Sequence, residues 1–238
     1  MKKFTSLLLV AILLLSIPVS TFAKPEKKKV IDYVALGDSL AAGWTPDGRK
    51  DSGYGEYLAE RFGQSQYTVN LDNYGVPGFT STQLKNQIIT NELVQDAIRN
   101  AEIITIDIGA NDALQALKTG DPLIVGQALV NVKNNLDYIL AKIDSLNPSV
   151  DVYVMGYYNP FPYLDKEHQA PLMSLLDSLN KTIEGIAKTN KDVYVPTEKV
   201  IAKHYEEYLP NPQDIHLSLE GYRTVAKEFW KAIMKNQY

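Results

Sequence analysis

The sequence predicts an α/β fold: a three-layer α/β/α sandwich on a doubly wound parallel sheet. Three observations carry this. Short runs rich in β-branched residues alternate with longer segments whose apolar residues recur at helical spacing. The order is strand, then helix, along the chain, which calls for a parallel sheet covered on both faces, and right-handed crossovers leave the doubly wound arrangement. No internal repeat or low-complexity linker interrupts that order, so one domain is expected over residues 30–238.

Residues 30–36 form a short apolar run read as the first, buried strand, followed by a turn at 37–43. Residues 53–62 carry a helical pattern and 67–71 a weaker strand. A helix is expected over 80–99, capped by Thr80 or Ser81, whose hydroxyls can accept from free N–H groups of a first turn. The β-branched run at 102–108 reads as the third strand. A long amphipathic helix over 123–146 stops at Asn147-Pro148, because proline cannot continue it. A strand at 150–155 leads into an aromatic, proline-rich loop at 157–163. A helix at 170–189, a last strand at 192–195 and a closing helix at 219–235 complete the pattern.

Ahead of the domain, residues 1–23 read as a signal peptide. Lys2 and Lys3 precede an apolar run at 7–17 broken only by Ser16, and Thr21-Phe22-Ala23 ends in a small residue suited to cleavage. The run is short of the roughly 20 apolar residues that span a bilayer, so no stable membrane span is expected. The expected location is outside the cell. Residues 24–29 form a basic leader, best read as solvated chain. No cysteine is present, which excludes disulfides, thiolate metal sites and a lipid anchor on a new N-terminal cysteine. The net charge of −4 argues against nucleic acid as a partner, since a phosphate backbone demands a basic surface.

In an open α/β sheet ligands bind beyond the carboxyl ends of the strands. Four polar, glycine-rich segments fall there. Gly37-Asp38-Ser39-Leu40 follows the first strand, and Asn73-Tyr74-Gly75-Val76-Pro77-Gly78 the second. Gly109-Ala110-Asn111-Asp112 follows the third, and Asp214-Ile215-His216 lies between the last strand and the final helix. Each supplies something acyl transfer needs. A serine on a strand-to-helix turn is exposed, and a histidine within reach can take its proton and activate it. A glycine leaves a backbone N–H open to close approach, and an asparagine amide adds a donor. Donors around a developing oxyanion are each worth about 10²–10³ in rate.

These four segments, in this order and spacing, resemble the SGNH/GDSL hydrolases, and the resemblance covers nearly all of the chain after the leader. It implies Ser39 as nucleophile, His216 as its base, and an oxyanion hole formed by the Ser39 N–H, Gly78 and Asn111. It also implies a flavodoxin-like five-stranded sheet in the order 2-1-3-4-5. The Gly-x-Ser-x-Gly elbow of α/β-hydrolases is absent around Ser39. One block departs from the family pattern: Gln213 stands three residues before the histidine, where the family has aspartate, and Asp214 stands two before it. Either Asp214 orients His216 through a tightened turn, or a backbone carbonyl near Gln213 does so. Gly75 competes with Gly78 as the oxyanion donor.

Other residues have plainer readings. Asp38 braces the nucleophile turn, and His168 and His204 stand without a motif. Most of the 15 tyrosines occupy apolar positions and pack the core. Trp44, Tyr158 and Phe161 flank the catalytic edge and are candidates to line a substrate pocket. The histidines and carboxylates lack zinc or calcium spacing, and no Gly-x-Gly-x-x-Gly or P-loop occurs, so neither metal nor cofactor is expected. The expected activity is hydrolysis of a carboxylic ester by a monomer, on a lipid, a small molecule or an acetylated glycan. The alternatives are an O-deacetylase of polysaccharide with the same apparatus, and a non-catalytic flavodoxin-like binding module.

Overall fold

The computed structural model describes residues 29–236. The expected signal peptide and most of the basic leader lie outside the described residues. Five strands make one sheet: β1 (Val30–Gly37), β2 (Thr68–Asn73), β3 (Ile103–Asp107), β4 (Asp151–Met155) and β5 (Val193–Val195). Their order is β2-β1-β3-β4-β5 and every pair is parallel, as the resemblance implied. All five residues of β3 are buried, which is why that strand reads as a continuous β-branched run rather than an alternating one.

The helices are α1 (Tyr54–Gln64), α2 (Ser81–Thr90), α3 (Glu92–Asn100), α4 (Ala110–Leu117), α5 (Pro122–Leu146), α6 (Lys166–Asn190), two short turns α7 (Glu198–Ala202) and α8 (Tyr205–Tyr208), and α9 (Leu219–Asn236). The chain leaves β1 toward β2 on one side and returns past β1 to β3 on the other, so right-handed crossovers put the helices on opposite faces. Helices α1 and α9 pack together, with Tyr54 stacked on Phe229 at 4.9 Å. Helices α2, α5 and α6 pack in a row. Between the layers lie Leu36, Ile104, Ile106 and Val154, all buried, and each such side chain contributes about 1.5–3 kcal/mol.

Two helices differ from expectation by more than a couple of residues, for local reasons. The single helix expected over 80–99 is two, because the Asn91 side chain accepts from the N–H groups of Leu93 and Val94 (3.0 and 3.4 Å) and starts α3 afresh. Thr80 is the residue preceding α2, and its own N–H donates to Gln83 Oε1 at 2.9 Å. Helix α6 begins four residues earlier than expected, capped by Asp165, which accepts the His168 N–H at 3.0 Å. Pro171 therefore lies inside the helix instead of opening it.

The sheet order reverses between β1 and β3. Loops leaving these two strands diverge and open a crevice at their carboxyl ends, the expected binding position in such a sheet. Gly109 makes the entry into α4 possible. It has φ +118°, and a Cβ there would sit 2.9 Å from Val132 Cγ1 of α5.

Candidate active site

The site is built from the turn after β1 outward. Ser39 is nearly buried, and its Oγ lies 2.9 Å from His216 Nε2. The opposite ring nitrogen, Nδ1, lies 2.7 Å from Asp214 Oδ1. The same carboxylate oxygen accepts the backbone N–H of His216 at 2.8 Å. An aspartate accepting from the N–H two residues ahead is an Asx turn. That turn folds the carboxylate back over its own loop, so a spacing of two reaches the imidazole. The Asp214 carboxylate, not a carbonyl near Gln213, meets Nδ1. Gln213 instead uses its N–H on Asn211 Oδ1, at 3.0 Å. Tyr158 steadies the loop by donating its hydroxyl to the Ile215 carbonyl at 2.8 Å.

On the far side of Ser39 stands Asn111, in the first turn of α4. Its amide donates to the Phe79 carbonyl at 2.9 Å, which leaves the second amide hydrogen available. Gly78 is exposed at φ +83°, with open space where a Cβ would point, and among the described residues no acceptor meets its N–H. Gly75 differs. Its N–H is taken by Asn73 Oδ1 at 3.0 Å, and a Cβ there would lie 2.4 Å from Ala42 N. Gly75 thus serves close packing, and Gly78 is the glycine with a free donor.

A polar clamp ties these donors together. Asp112 accepts both the Ser81 N–H (2.8 Å) and the Ser81 hydroxyl (2.7 Å). Asn135 of α5 donates to Ser81 Oγ and Thr82 Oγ1, at 3.0 and 2.9 Å. Lys85 donates to Asn135 Oδ1 at 2.6 Å. Through Asn111 and Asp112, the start of α4 fixes the loop that carries Gly78.

Beneath the nucleophile lie two buried carboxyl groups, Asp38 and Asp107. Asp38 accepts the Leu40 N–H at 3.0 Å and the Tyr157 hydroxyl at 2.7 Å. Its own N–H donates to Asp107 Oδ2 at 3.1 Å, and Tyr54 donates to Asp107 Oδ1 at 2.5 Å. Gly37 pairs with Asp107 across the strands, and a Cβ on it would lie 2.7 Å from the Asp107 carboxyl carbon. Only glycine lets this side chain lie against β1. Burial first, and the Asp38 charge second, push the Asp107 carboxyl well above the usual carboxylate range. Burial also raises Asp38.

Ser39, Asn111 and His216 share one pocket with Tyr158 and Phe161. The rest of its wall is mostly leucine, from α4 and α6. Sequence reading missed those leucines because a stripe at helical spacing is what any core helix shows. Trp44 corrects the expectation: it is not among the residues lining the pocket. The segment after Ser39 doubles back, with Trp44 bridged to Lys50 and the Trp44 carbonyl accepting from Tyr222, which carries this residue away from the α4–α6 side. His168 and His204 are exposed and outside the site.

The arrangement can pass a proton from a serine hydroxyl to an imidazole held by a carboxylate. The sequence profile of the GDSL-like Lipase/Acylhydrolase family matches residues 35–224, a span that holds all four segments. The chain belongs to this family. No curated protein matches it. Among solved structures, this family member is similar to the lipase Lip_vut3 from a goat rumen metagenome, at 22% identity and a TM-score of 0.68 over 86% of this chain and 97% of that one. It is also similar to Axe2, an acetylxylan esterase from Geobacillus stearothermophilus, at 17% identity and 0.68 over 87% and 95%. A third, LAE5, an alpha/beta hydrolase enzyme from the metagenome of Lake Arreo in Spain, shares 18% identity at 0.65 over 86% and 95%. At these identities the likeness is one of fold.

Proposed function

We propose that the protein hydrolyses carboxylic esters through an acyl-Ser39 intermediate. The observation that carries this reading is the unbroken sequence of contacts from Ser39 Oγ through His216 to Asp214, opening into an apolar pocket. Ser39 Oγ attacks the ester carbonyl carbon as His216 Nε2 takes its proton. Asp214 holds the imidazole in the right tautomer and stabilises imidazolium without taking the proton itself. The carbonyl oxygen, now negative, is met by the N–H groups of Ser39 and Gly78 and by the Asn111 amide. His216 then returns the proton to the leaving alkoxide. Water attacks the acyl-serine by the same path, releasing the acid and restoring Ser39.

An apolar acyl group is the favoured substrate, because nearly every pocket wall outside the catalytic residues is hydrocarbon. The lining tyrosines already donate their hydroxyls, Tyr157 to Asp38 and Tyr158 to the Ile215 carbonyl, which leaves few side chains to hydrogen-bond an acetylated glycan. A non-catalytic module would have no use for a complete relay. The charged start, apolar run and small-residue end of residues 1–23 support export.

Labelling with a fluorophosphonate tests the core of this reading without needing the natural substrate. Wild type should label on Ser39, and Ser39→Ala should neither label nor cleave esters while keeping its fold, a loss of several orders of magnitude. A covalent adduct on another residue, or activity within about tenfold of wild type in Ser39→Ala, would overturn it.

A further inference from the structure

Helix α4 presents Ala110, Ala113, Leu114 and Leu117 to the pocket, at spacings of three, four and seven residues. Helix α6 presents Leu172, Leu175, Leu176 and Leu179 at the same spacings. Stripes like these normally close on each other as a helix pair. Here Leu114, Leu117, Leu172 and Leu175 remain only half-buried, and a pocket lies between them.

The slot has a direction. Its inner end is at Ala110 and Leu179: Ala110 precedes Asn111, and a Cβ on Gly109 would lie 3.3 Å from Leu179 Cδ1. Its outer end is at Leu117 and Leu172. Seven residues of helix rise about 10 Å. A saturated chain with bonds of ~1.5 Å advances about 1.25 Å per carbon, so the stripes match about eight carbons. Beyond them the walls turn polar: exposed Lys118 and Thr119 follow α4's last leucine, and His168 and Gln169 precede α6's first.

We infer that the slot between α4 and α6 is an acyl ruler that selects straight-chain, medium-length acyl esters of about eight carbons. The inference rests on the ester-hydrolase reading above. The reacting carbonyl sits between Ser39 and Asn111, the chain lies along the two leucine stripes, and further carbons meet the polar rim.

The test is kcat/KM of the full chain on p-nitrophenyl esters from acetyl to palmitoyl, at concentrations where they stay monomeric. The expected profile climbs by up to about fourfold per methylene, the gain for burying one CH₂, and stops climbing near octanoyl. Leu114→Trp and Leu175→Phe each put bulk into the slot, from opposite walls. Both should lower the octanoyl-to-acetyl ratio by about tenfold or more, the scale on which a filled hydrophobic pocket discriminates. Using two walls guards against one variant that merely misfolds, and thermal melting reports whether each stays folded. Three results would overturn the ruler: a profile highest on acetyl and falling with length, a profile still climbing at palmitoyl, or an unchanged ratio in two folded variants. If Ser39 labels with fluorophosphonate and short esters are cleaved in those cases, only the ruler fails. If Ser39 neither labels nor cleaves any ester, the esterase reading falls with it.

Discussion

At the scale of single residues, the Asx turn at Asp214 joins two jobs in one carboxylate oxygen, which accepts the His216 N–H and faces Nδ1. Asp214→Ala should lower kcat on the order of 10⁴, the scale of a lost triad carboxylate, while Gln213→Ala should cost little. Steady-state kinetics of the two variants check this; a near-normal kcat in Asp214→Ala would reduce the relay to Ser39 and His216. Asn111→Ala should lower kcat by about 10²–10³ with KM nearly unchanged, because its amide acts chiefly on the oxyanion. A loss confined to KM would make Asn111 a substrate-binding residue instead. Ser39, His216, Asn111 and Gly78 were singled out by their segments at strand ends together with the family resemblance, and the fold brings Ser39, His216 and Asn111 to one pocket. Asp214 against Gln213 was legible only as a choice, since side-chain direction within a loop depends on a turn that spacing alone does not specify. Trp44 was misread because a loop beside the nucleophile can leave toward either side of the crevice.

At the scale of elements, the clamp of Asp112, Ser81 and Asn135 joins α2, α4 and α5 behind the oxyanion donors. Ser81 and Asn135 are buried, and Asn135 donates to Ser81 and Thr82 and accepts from Lys85. Asn135→Leu should therefore destabilise by about 0.5–1.5 kcal/mol for each hydrogen bond lost, and let the Gly78 loop shift relative to Asn111. The expected kinetic result is a fall in kcat larger than any change in KM, read alongside a urea midpoint. A stable variant with unchanged kcat would show that the clamp does not position the hole. The strands were legible as short apolar, β-branched runs and the long helices by apolar residues recurring at helical spacing. The break at Asn91 was not: its cap lies inside a continuous helical pattern, and only the side chain's hydrogen bonds reveal it. The leucine stripes of α4 and α6 were visible as pattern but not as a pocket, because whether two apolar stripes touch or stand apart is decided by the whole packing.

At the scale of the molecule, the reversal between β1 and β3 brings elements from across the chain onto one buried acid pair. Asp38 follows β1, Asp107 ends β3, Tyr54 comes from α1 and Tyr157 follows β4. Among the described residues, no lysine, arginine or histidine is buried to balance two charges there. Burial therefore favours the protonated form of Asp107, whose folded-state pKa is raised well above its ordinary 3.8. The sign follows from proton counting. Above pH 3.8 an unfolded chain has released this proton and the folded one keeps it, so the folded state binds more protons and loses stability as pH rises. The contribution is fully present below pH 3.8 and fades as pH rises toward the raised folded pKa. Asp107→Asn removes this slope. Its amide oxygen can accept the Asp38 N–H and its NH₂ can donate to the Tyr54 hydroxyl oxygen, so the cavity stays filled and bonded. Relative to wild type, the variant should gain stability as pH rises above the ordinary carboxylate range, until the raised folded-state pKa is reached. Asp107→Leu should instead be destabilised across that range, since it strands the buried Tyr54 hydroxyl and leaves the Asp38 N–H only the backbone carbonyl of residue 107. Urea midpoints of the three proteins at several pH values decide the matter: a wild-type-to-Asn difference that does not change with pH would mean that Asp107 carries no extra proton in the fold.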